Sequence, residues 1–344
     1  MSLPALCFLL ISLPVVPFQL SVMSYNVQNL FDDATDGTEL AAYDPTQGDW
    51  SSAQFEKKVE AIAQVIRRSS PGGPDLVALQ EIENENALDR LTTALPRRFA
   101  YRHSIIVPRT KAATHVAFLS KYPIERVHVH RTEQWRGSPT RDVLEIELRY
   151  RGKLLHVLNN HWKSKREGVR ETEQARVAAA DVVRQRIAAI CREKPDADII
   201  VLGDLNENVD EYLQTGQMYE TALVPDSAAI PDSFARRSLF LASDPARLSV
   251  SEQRVTLYET WYEMERTQWG SYVYQDEWQT LDHMLLSRGL FDDKGFYYIR
   301  GSFRVMRKPF MVTSPQGYPK RWSPEREGGY SDHLPILITL GFAP

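Results

Sequence analysis

The sequence predicts an α/β protein in which two packed mixed β-sheets are covered by helices. Segments of alternating apolar and polar residues recur from residue 18 to the C-terminal end, and two longer segments carry apolar residues at helical spacing. The 344 residues are 43% hydrophobic and 25% charged, an ordinary globular composition. No internal repeat or low-complexity linker divides the chain. We therefore expect one domain over residues 18–344, with helices packed on its sheets.

The first third of the chain alternates predicted strands and helices. Apolar positions spaced by three and four residues predict the first helix, and a Pro-Gly-Gly-Pro segment at 71–74 separates it from the next strand. The predicted elements are a strand over 18–27, a loop over 31–52, a helix over 53–68, a strand over 75–80 and a helix over 85–95.

The rest of the chain begins with a predicted run of strands joined by short turns, which implies antiparallel pairing. The longest helical pattern follows, with Ala175, Ala178, Val182, Ile187 and Ile190 on its expected inner face. Residues 207–250 have weak periodicity, so we predict short helices and loops there. The predicted strands are 101–107, 114–119, 124–130, 142–149, 153–159, 198–202, 280–286 and 336–340, with the helix over 169–191.

Charge and cysteine content exclude some classes of protein. A net charge of −4 and a pI near 6.1 provide no global attraction to nucleic acid, so binding of a polyanion requires a local basic patch. The two cysteines, Cys7 and Cys191, are too few for a disulfide framework and lack zinc-site spacing. We expect Cys191 to be a small buried residue.

Residues 1–17 are uncharged and mostly apolar, which is typical of the hydrophobic region of a signal peptide. The segment is too short and too interrupted by proline for a membrane span. An apolar lead-in to the first strand, or a misplaced start codon, is the alternative. We predict a secreted or periplasmic protein, or a cytoplasmic one if this segment is not a signal.

Dense polar segments stand at the ends of the apolar runs. The adjacent acid and imidazole of Asp332 and His333, at the start of the last strand, suggest a hydrolytic site. Carboxylates and amide oxygens are the donors that a hard divalent cation requires. The segments are Ser24-Tyr25-Asn26-Val27, Gln80-Glu81-Ile82-Glu83-Asn84, 160–165 (Asn-His-Trp-Lys-Ser-Lys), Gly203-Asp204-Leu205-Asn206, Leu281-Asp282-His283 and Ser331-Asp332-His333.

The content and order of these six segments resemble the endonuclease/exonuclease/phosphatase family of DNase I-like, metal-dependent phosphoesterases. The resemblance extends over roughly residues 20–340. It implies a four-layer α/β sandwich, in agreement with the pattern of elements. It also implies a divalent cation, Mg²⁺ or alternatively Mn²⁺ with Ca²⁺ in a supporting role. Glu81 matches the main metal ligand, assisted by the positions of Asn26 and Asp332.

The resemblance also assigns catalytic roles. It implies that His333 contacts the scissile phosphate and is oriented by Asp282, that Asp204 and Asn206 position the attacking water, and that His161 donates to a phosphate oxygen. A carboxylate held against an imidazole raises the imidazole pKa, so a cationic His333 would leave Asp204 as the better base. The sequence leaves open which of the two takes the proton.

A local basic patch follows His161. Arg141 resembles the family position that binds phosphate in bidentate fashion, and Lys163 and Lys165 are predicted to bind phosphate with it. The alternative is a solvated helix start, the usual fate of a charge run. Aromatic residues near the basic segments, which could stack on bases, are Trp135, Trp162 and Trp322.

Other histidines are predicted to have structural or surface roles. Alternation along its strand directs His283 to the face opposite Asp282. The remaining histidines of this class are His103, His115, His128, His130 and His156.

The wording of the motifs resembles the bacterial endonuclease-like branch of the family. We therefore predict a nuclease that hydrolyses DNA or RNA, acts as a monomer and needs no protein partner. A phosphoesterase acting on a phospholipid or a small-molecule phosphate is the alternative. A non-catalytic binding module is disfavoured, because Glu81, Asp204, Asp332 and His333 are all present.

Overall fold

Two β-sheets pack face to face around the main hydrophobic core, and helices cover their outer faces. The computed structural model describes residues 18–47, 50–109, 112–132, 140–231, 236–323 and 328–343. In chain order the strands are β1 (Gln19–Leu30), β2 (Leu76–Ile82), β3 (His103–Ile106), β4 (His115–Ser120), β5 (Ile124–His130), β6 (Val143–Tyr150), β7 (Lys153–His161), β8 (Asp198–Asp204), β9 (Leu223–Pro225), β10 (Leu239–Ala242), β11 (Ser249–Val250), β12 (Val255–Glu259), β13 (Tyr272–Tyr274), β14 (Glu277–Gln279), β15 (Asp282–Leu286), β16 (Gly295–Tyr298), β17 (Arg304–Val305) and β18 (Ile336–Ala343).

The first sheet has the order β16-β18-β1-β2-β4-β3, and β17 also pairs with β18. Strands β1 and β2 are parallel, and β18 runs antiparallel to β1. The second sheet has the order β5-β6-β7-β8-β15-β12-β10-β9, and β11 also pairs with β12. Its central pair β7 and β8 is parallel, while β15 is antiparallel to β8. A mixed α/β sandwich is therefore confirmed.

The predicted run of antiparallel strands is divided between the two sheets. Strands β3 and β4 pair in the first sheet, whereas β5, β6 and β7 form a meander in the second. The chain changes sheets in the short turn between Ser120 and Ile124. Alternation along a strand reveals which face is buried but not which sheet the strand joins, so the sequence pattern could not locate this division.

The prediction of only short helices and loops over 207–250 is wrong. This stretch contains β9, β10 and β11, which extend the second sheet, besides one short helix. Strands β9 and β10 are three and four residues long and fully buried, so they show no alternation. The connection before β18 likewise contains the unpredicted strands β16 and β17.

Four α-helices complete the described structure, and the two outer layers come from three of them. Helices α1 and α2 cover the first sheet, and α3 covers the second. In α3, Ala178 and Val182 are only half-buried, because Arg176 and Arg184 turn inward to ion pairs instead. The buried Cys191 near its end is as expected. The helices are α1 (Ser52–Ser69), α2 (Glu85–Ala94), α3 (Val169–Glu193) and α4 (Glu211–Gln214).

Residues 1–17, with their predicted signal segment, lie outside the described residues. In the part of the chain that is described, no helix combines the length and apolarity that crossing a membrane would require.

Candidate active site

The ends of β1, β2, β7, β8 and β15 meet at one edge of the sandwich. The pairing of β8 with its two neighbours places His161 and Asp282 directly beside Asp204, one on each side. In the first sheet, the pairing of β1 with β2 places Asn26 beside Gln80 and hence next to Glu81. Strand register alone therefore assembles residues that are far apart in the chain.

The backbone is bent where these strands deliver their side chains. The β1–β2 register shifts after Asn26, and the β2–β4 register shifts after Leu79. Gln28, Asn29 and Glu81 adopt positive φ angles of 56°, 60° and 67°. Left-handed backbone is uncommon and costly in residues with side chains, and it concentrates at functional sites. The bulges turn Glu81 away from the regular alternation of its strand and into the site.

Gly203 permits the close approach of β7 and β8 beneath Asp204. Its φ is 126°, and a Cβ atom there would lie 2.0 Å from the backbone oxygen of Asn160. A side chain at this position would push the two strands apart. The glycine of the Gly-Asp-x-Asn segment therefore sets the spacing between His161 and Asp204.

A buried amide pair joins the two sheets just below the site. Gln80 Nε2 donates to Asn159 Oδ1 over 2.8 Å, and Asn159 Nδ2 donates to the backbone oxygens of Leu79 and Ala117. Buried amides are costly unless hydrogen-bonded, so this pairing favours one alignment of β2 with β7. Asn159 was not predicted as a site residue.

Four of the predicted residues share two carboxylate oxygens. Asn26 Nδ2 lies 3.3 Å from Glu81 Oε1 and 2.9 Å from Asp204 Oδ2. His161 Nε2 lies 3.7 Å and 3.5 Å from the same two oxygens. The carboxylates of Glu81, the predicted metal ligand, and Asp204, the candidate base, therefore both lie against the Asn26 amide. The His161 imidazole lies near the same two carboxylates.

His333 is held between two carboxylates. Its Nδ1 lies 2.7 Å from Asp282 Oδ2, and its Nε2 lies 3.7 Å from Asp204 Oδ2. Ser271 donates its hydroxyl to the same oxygen of Asp282, and its backbone oxygen accepts from the N–H of Leu334. Ser271 therefore fixes both Asp282 and the His333 segment. No sequence motif marked it.

The electrostatics of the buried groups differ in sign. Burial alone would lower the pKa of His333, but the charges of Asp282 and Asp204 outweigh it and raise that pKa well above its ordinary value. Burial raises the pKa of Asp204, and the charge of Asp282 raises it further. Burial, with the positive charges of Arg141 and His333, lowers the pKa of His161. At neutral pH His333 is a cation and His161 is a neutral donor.

Asn206 is positioned by its own strand end. Its backbone N–H donates to Asp204 Oδ1 over 2.9 Å, and its side-chain nitrogen donates to the backbone oxygen of Trp162 over 3.2 Å. Its φ of 52° is again left-handed. These bonds hold the turn that orients Asp204.

Lys58 is a buried cation beneath the site that the sequence reading missed. Its Nζ donates to the backbone oxygens of Val27 over 2.6 Å and Tyr330 over 2.8 Å. Burial lowers the Lys58 pKa to about 7, although Asp332 and Glu81 oppose the shift. The signal was its spacing, because Lys58 lies between Phe55 and Ile62 on the inner face of α1.

The available oxygens fit a hard divalent cation. The side chains of Glu81 and Asp332 are 18% and 13% exposed, against 3% for Asp204. Partly exposed carboxylates leave room for the waters that Mg²⁺ retains. Glu81 and Asp332 would hold the ion, and Arg321 lies 3.3 Å from Asp332 on the solvent side.

Asn26 does not present its oxygen to this position. Its Oδ1 accepts the backbone N–H of Gln28 over 3.0 Å, while its Nδ2 faces Glu81 and Asp204. The predicted role of Asn26 as a metal ligand therefore requires a rotation of the amide. In the observed orientation it bridges the two carboxylates.

The predicted phosphate-binding cations separate into two groups. Burial lowers the pKa of Arg141, and the charges of Glu81 and Asp204 oppose that shift, so Arg141 belongs to the centre. Lys163 forms an ion pair with Glu167, and Lys165 forms one with Glu211. These ion pairs connect both lysines to carboxylates other than those of Glu81 and Asp204.

Arg166, the next cation of the same run, is exposed. Its positive charge acts on Arg141 and on Tyr272, whose pKa is raised chiefly by burial. Arg166 is therefore the cation of this run whose charge acts on residues of the centre.

Two of the three predicted stacking residues are too buried to stack on a base. Trp162 and Trp322 are 2% and 4% exposed, and Trp135 lies outside the described residues. Instead, the Tyr272 ring lies 4.7 Å from the His333 ring, and Tyr274 of the same hairpin is 54% exposed. An aromatic hairpin, β13–β14, therefore lies beside His333.

Several other polar groups lie away from the centre. His283 contacts Glu259 and the backbone oxygen of Glu207, as its alternation predicted. His115 contacts the backbone oxygen of Glu83. In the described ranges, two groups of three side chains have metal-ligand spacing, His128 with Glu145 and Glu147 and Asp36 with Glu39 and Glu83, and neither group contains a predicted catalytic residue.

Solved structures share the fold at low sequence identity. Truncated TDP2 from Caenorhabditis elegans is 16% identical, with 94% of this chain and 98% of that chain covered and a TM-score of 0.55. TDP2 from D. rerio complexed with a single-strand DNA product is 15% identical, with 94% and 99% covered and a TM-score of 0.54. A mannosyl-6-phosphatase from Bacteroides thetaiotaomicron is 18% identical, with 94% and 100% covered and a TM-score of 0.54.

The sequence itself carries the family pattern over most of its length. No curated protein matches the sequence. The pattern of the Endonuclease/Exonuclease/phosphatase family matches residues 21–220 and 241–341, which include every segment of the site. Proteins of this family hydrolyse phosphoester bonds and generally use divalent metals, so the prediction of an enzyme is confirmed. The chain belongs to the endonuclease/exonuclease/phosphatase family of metal-dependent phosphoesterases.

Proposed function

We propose that this protein is a nuclease that hydrolyses phosphodiester bonds, with DNA as the preferred nucleic acid and RNA as the alternative one. We propose Mg²⁺ as the preferred ion. The aromatic hairpin beside His333 carries the proposal. Tyr272 packs on the His333 ring, Tyr274 is exposed, and the Arg307 guanidinium lies 4.4 Å over the half-buried Trp278 ring. An aromatic surface next to a phosphate site suits unpaired bases, each of which stacks for about 1–3 kcal/mol.

In the mechanism that we propose, one buried side chain accepts a proton and others stabilise negative charge. A divalent ion held by Glu81 and Asp332 would neutralise phosphate charge when bound. Asp204 accepts a proton from the attacking water while the oxygen of that water bonds to phosphorus. The bond from phosphorus to the leaving oxygen breaks, and the leaving oxygen departs with the electron pair of that bond and takes a proton from solvent. We assign this role to Asp204 because His333 already carries its proton.

The donors then stabilise the charge that develops on the phosphoryl oxygens. The His333 imidazolium and the neutral His161 face the same carboxylate, Asp204, from two sides. Arg141 adds a fixed positive charge. Preorganised donors of this kind contribute about 10²–10³-fold each to the rate.

Two of the related structures support different substrates. The D. rerio protein was solved with a single-strand DNA product, which supports a nucleic-acid substrate. The Bacteroides protein is a mannosyl-6-phosphatase, which supports a small phosphomonoester as the second candidate. The crevice beside Arg141, lined also by His115 and Val129, has a volume of about 20 Å³, room for about one water molecule, and does not favour a small-molecule substrate. The exposed hairpin favours the polymer.

A substrate panel tests the proposal. Purified protein is incubated with plasmid, single-stranded DNA, RNA and phosphomonoesters, in Mg²⁺, Mn²⁺, Ca²⁺ or chelator. We expect cleavage of single-stranded DNA that requires the metal and falls steeply between about 50 and 200 mM salt. Release of phosphate from monoesters alone would select the second candidate. Cleavage that persists in chelator would contradict the metal requirement.

A matched pair of variants tests the hairpin. Tyr274→Ala is expected to raise KM for single-stranded DNA by about tenfold, the loss of one stacked base, with little change for a small aryl phosphodiester. Tyr274→Phe retains the ring and serves as the control. Equal KM values for the two variants would remove the hairpin from the binding site.

We also infer that the protein is exported and works as a monomer. The apolar segment 1–17 supports export, and secretion assays of the full-length gene and of a form lacking this segment would test it. Accumulation of both forms in the cytoplasm would contradict the inference. A sedimentation measurement checks the monomer.

A further inference from the structure

A second cluster of imidazoles and carboxylates lies on the face of the second sheet that α3 covers. Strand pairing places His128 opposite Glu145 and Glu147 opposite His156. Residues directly opposite each other in a ladder extend their side chains to the same face. We name His128, Glu145, Glu147 and His156 the outer-face cluster.

The imidazole nitrogens and carboxylate oxygens of the cluster lie close to one another. His128 Nε2 lies 3.1 Å from Glu147 Oε1. His156 Nδ1 lies 3.8 Å from the same oxygen and 2.9 Å from Glu145 Oε1. One atom each from His128, Glu145 and Glu147 falls within 4.8 Å of the others.

One oxygen of the cluster is incompletely satisfied. The Glu147 side chain is 5% exposed, and its Oε2 has no hydrogen-bond partner among the described residues. Arg126 Nε lies 3.9 Å from that oxygen, beyond hydrogen-bond distance. A buried carboxylate oxygen in this condition costs free energy, and a bound cation would remove the cost.

We propose that the outer-face cluster binds a divalent transition-metal ion of the Zn²⁺ class. Zinc bonds to imidazole nitrogen and carboxylate oxygen are about 2.0–2.2 Å long, so tetrahedral ligands stand roughly 3.3–3.5 Å apart. The three nitrogen–oxygen distances in the cluster, 2.9, 3.1 and 3.8 Å, lie on both sides of that range. A mixed nitrogen and oxygen set selects Zn²⁺, Ni²⁺ or Cu²⁺ over Mg²⁺ and Ca²⁺.

The neighbours of the cluster are arranged as supporting groups. His130 Nε2 lies 2.6 Å from Glu145 Oε2, and Arg186 donates to both oxygens of Glu145 over 2.7 Å and 2.9 Å. Outer partners of this kind orient metal ligands and tune affinity. They also define the competing interpretation, in which Arg186 and the histidines form a charge network without any ion.

The location suggests a structural ion. Strand β5 is the edge of the second sheet, and its residues from Glu125 to Val127 are exposed. An ion shared by His128 and the buried carboxylates would bind β5 to β6 and β7, and its binding would stabilise the fold by mass action. None of the ligands belongs to the catalytic centre.

Cobalt spectroscopy tests the proposal on the full-length protein. Glu81→Gln provides the background in which binding at the catalytic centre is weakened. Addition of Co²⁺ is expected to produce the intense visible bands of a tetrahedral ion, and Zn²⁺ should abolish them. His128→Gln and Glu147→Gln in this background are expected to lower Co²⁺ affinity by more than about tenfold.

The controls separate binding from folding and from catalysis. His103→Gln alters a half-buried histidine in the first sheet and should leave the bands unchanged. With Glu81 restored, His128→Gln should retain phosphoesterase activity, and its circular dichroism reports whether it folds. Absence of tetrahedral bands, or wild-type affinity in a folded His128→Gln or Glu147→Gln variant, would leave the charge network as the correct description.

Discussion

The catalytic centre and the outer-face cluster both combine imidazoles with carboxylates, yet the centre joins strand ends from both sheets whereas the cluster lies within the second sheet alone. They even share strand β7, which carries His156 in its middle and His161 at its end. The centre collects residues from position 26 to position 333 at strand ends. The outer-face cluster comes from three consecutive strands and needs only their register.

This difference has an electrostatic counterpart. In the centre, the charges of Asp282 and Asp204 outweigh the effect of burial and raise the pKa of His333. The carboxylates predicted to bind the metal, Glu81 and Asp332, are partly exposed. In the cluster, burial alone would raise the pKa of Glu145, but hydrogen bonds from His130, His156 and Arg186 outweigh it. Strand ends therefore supply the partly exposed carboxylates Glu81 and Asp332, whereas the mid-strand carboxylates Glu145 and Glu147 are buried.

The largest expected effect separates the two regions by activity. Glu81→Gln and His333→Gln should each lower the phosphoesterase rate by about 10³-fold or more, because each removes charge that is required at the phosphate. His130→Gln, next to the outer-face cluster, should keep the wild-type rate. Steady-state kinetics with thermal melts measure both. A rate within about tenfold of wild type in either catalytic variant would refute the role of that residue.

A second prediction concerns how Asp282 acts through His333. Asp282→Asn removes the strongest attraction that raises the His333 pKa, so that pKa should fall toward its ordinary value of about 6.5. Because the protonated form is the active one, the alkaline limb of kcat/KM should move to lower pH, with a rate loss of about 10²-fold. A pH profile that keeps the wild-type limb would show that Asp282 acts only on folding.

A third prediction tests Lys58, which holds the two chain segments that carry Asn26 and Asp332. Lys58→Met should raise the metal concentration for half-maximal activity by about ten- to a hundredfold, since it removes an outer partner of the metal ligands. Lys57→Met alters the exposed neighbour in the same helix and is the matched control. Metal titrations of activity decide. Identical curves for the two variants would assign Lys58 to helix packing alone.

The smallest expected effect concerns a carboxylate that belongs to neither region. Asp198 is buried at the start of β8, its Oδ1 lacks a hydrogen-bond partner among the described residues, and burial raises its pKa to about 7. The folded state therefore binds this proton more tightly than the unfolded state, and stability is lost as pH rises from the unfolded pKa of about 3.9 to about 7.

Asp198→Asn removes this titration. Above about pH 7 the variant should be more stable by roughly 1–3 kcal/mol, the cost of an unsatisfied buried group, and below about pH 4 the difference should disappear. Urea denaturation at several pH values measures it. A pH-independent difference would mean that the ionised Asp198 is paired in the folded protein, as the carboxylates of the two clusters are.

Much of the catalytic centre could be predicted because its residues stand in short segments at the ends of readable strands. Asn26, Glu81, His161, Asp204, Asp282 and His333 all converge. Lys163 and Lys165 were less predictable, because their partners Glu167 and Glu211 decide which way they point. Ser271 had no signal, because its hydrogen bonds to Asp282 and to the backbone N–H of Leu334 join segments that are apart in the chain.

The sequence by itself determined the chemical identity of the site, the principal helices and the longer strands, because alternation, helical spacing and turn residues are local properties of the chain. Only the tertiary structure decided which sheet each strand joins, the direction of the Asn26 amide and the burial of Lys58. These depend on contacts between residues as far apart as Asn26 and Asp204, or Lys58 and Tyr330. Such contacts are selected by the packing of the two sheets, and local pattern carries no record of it.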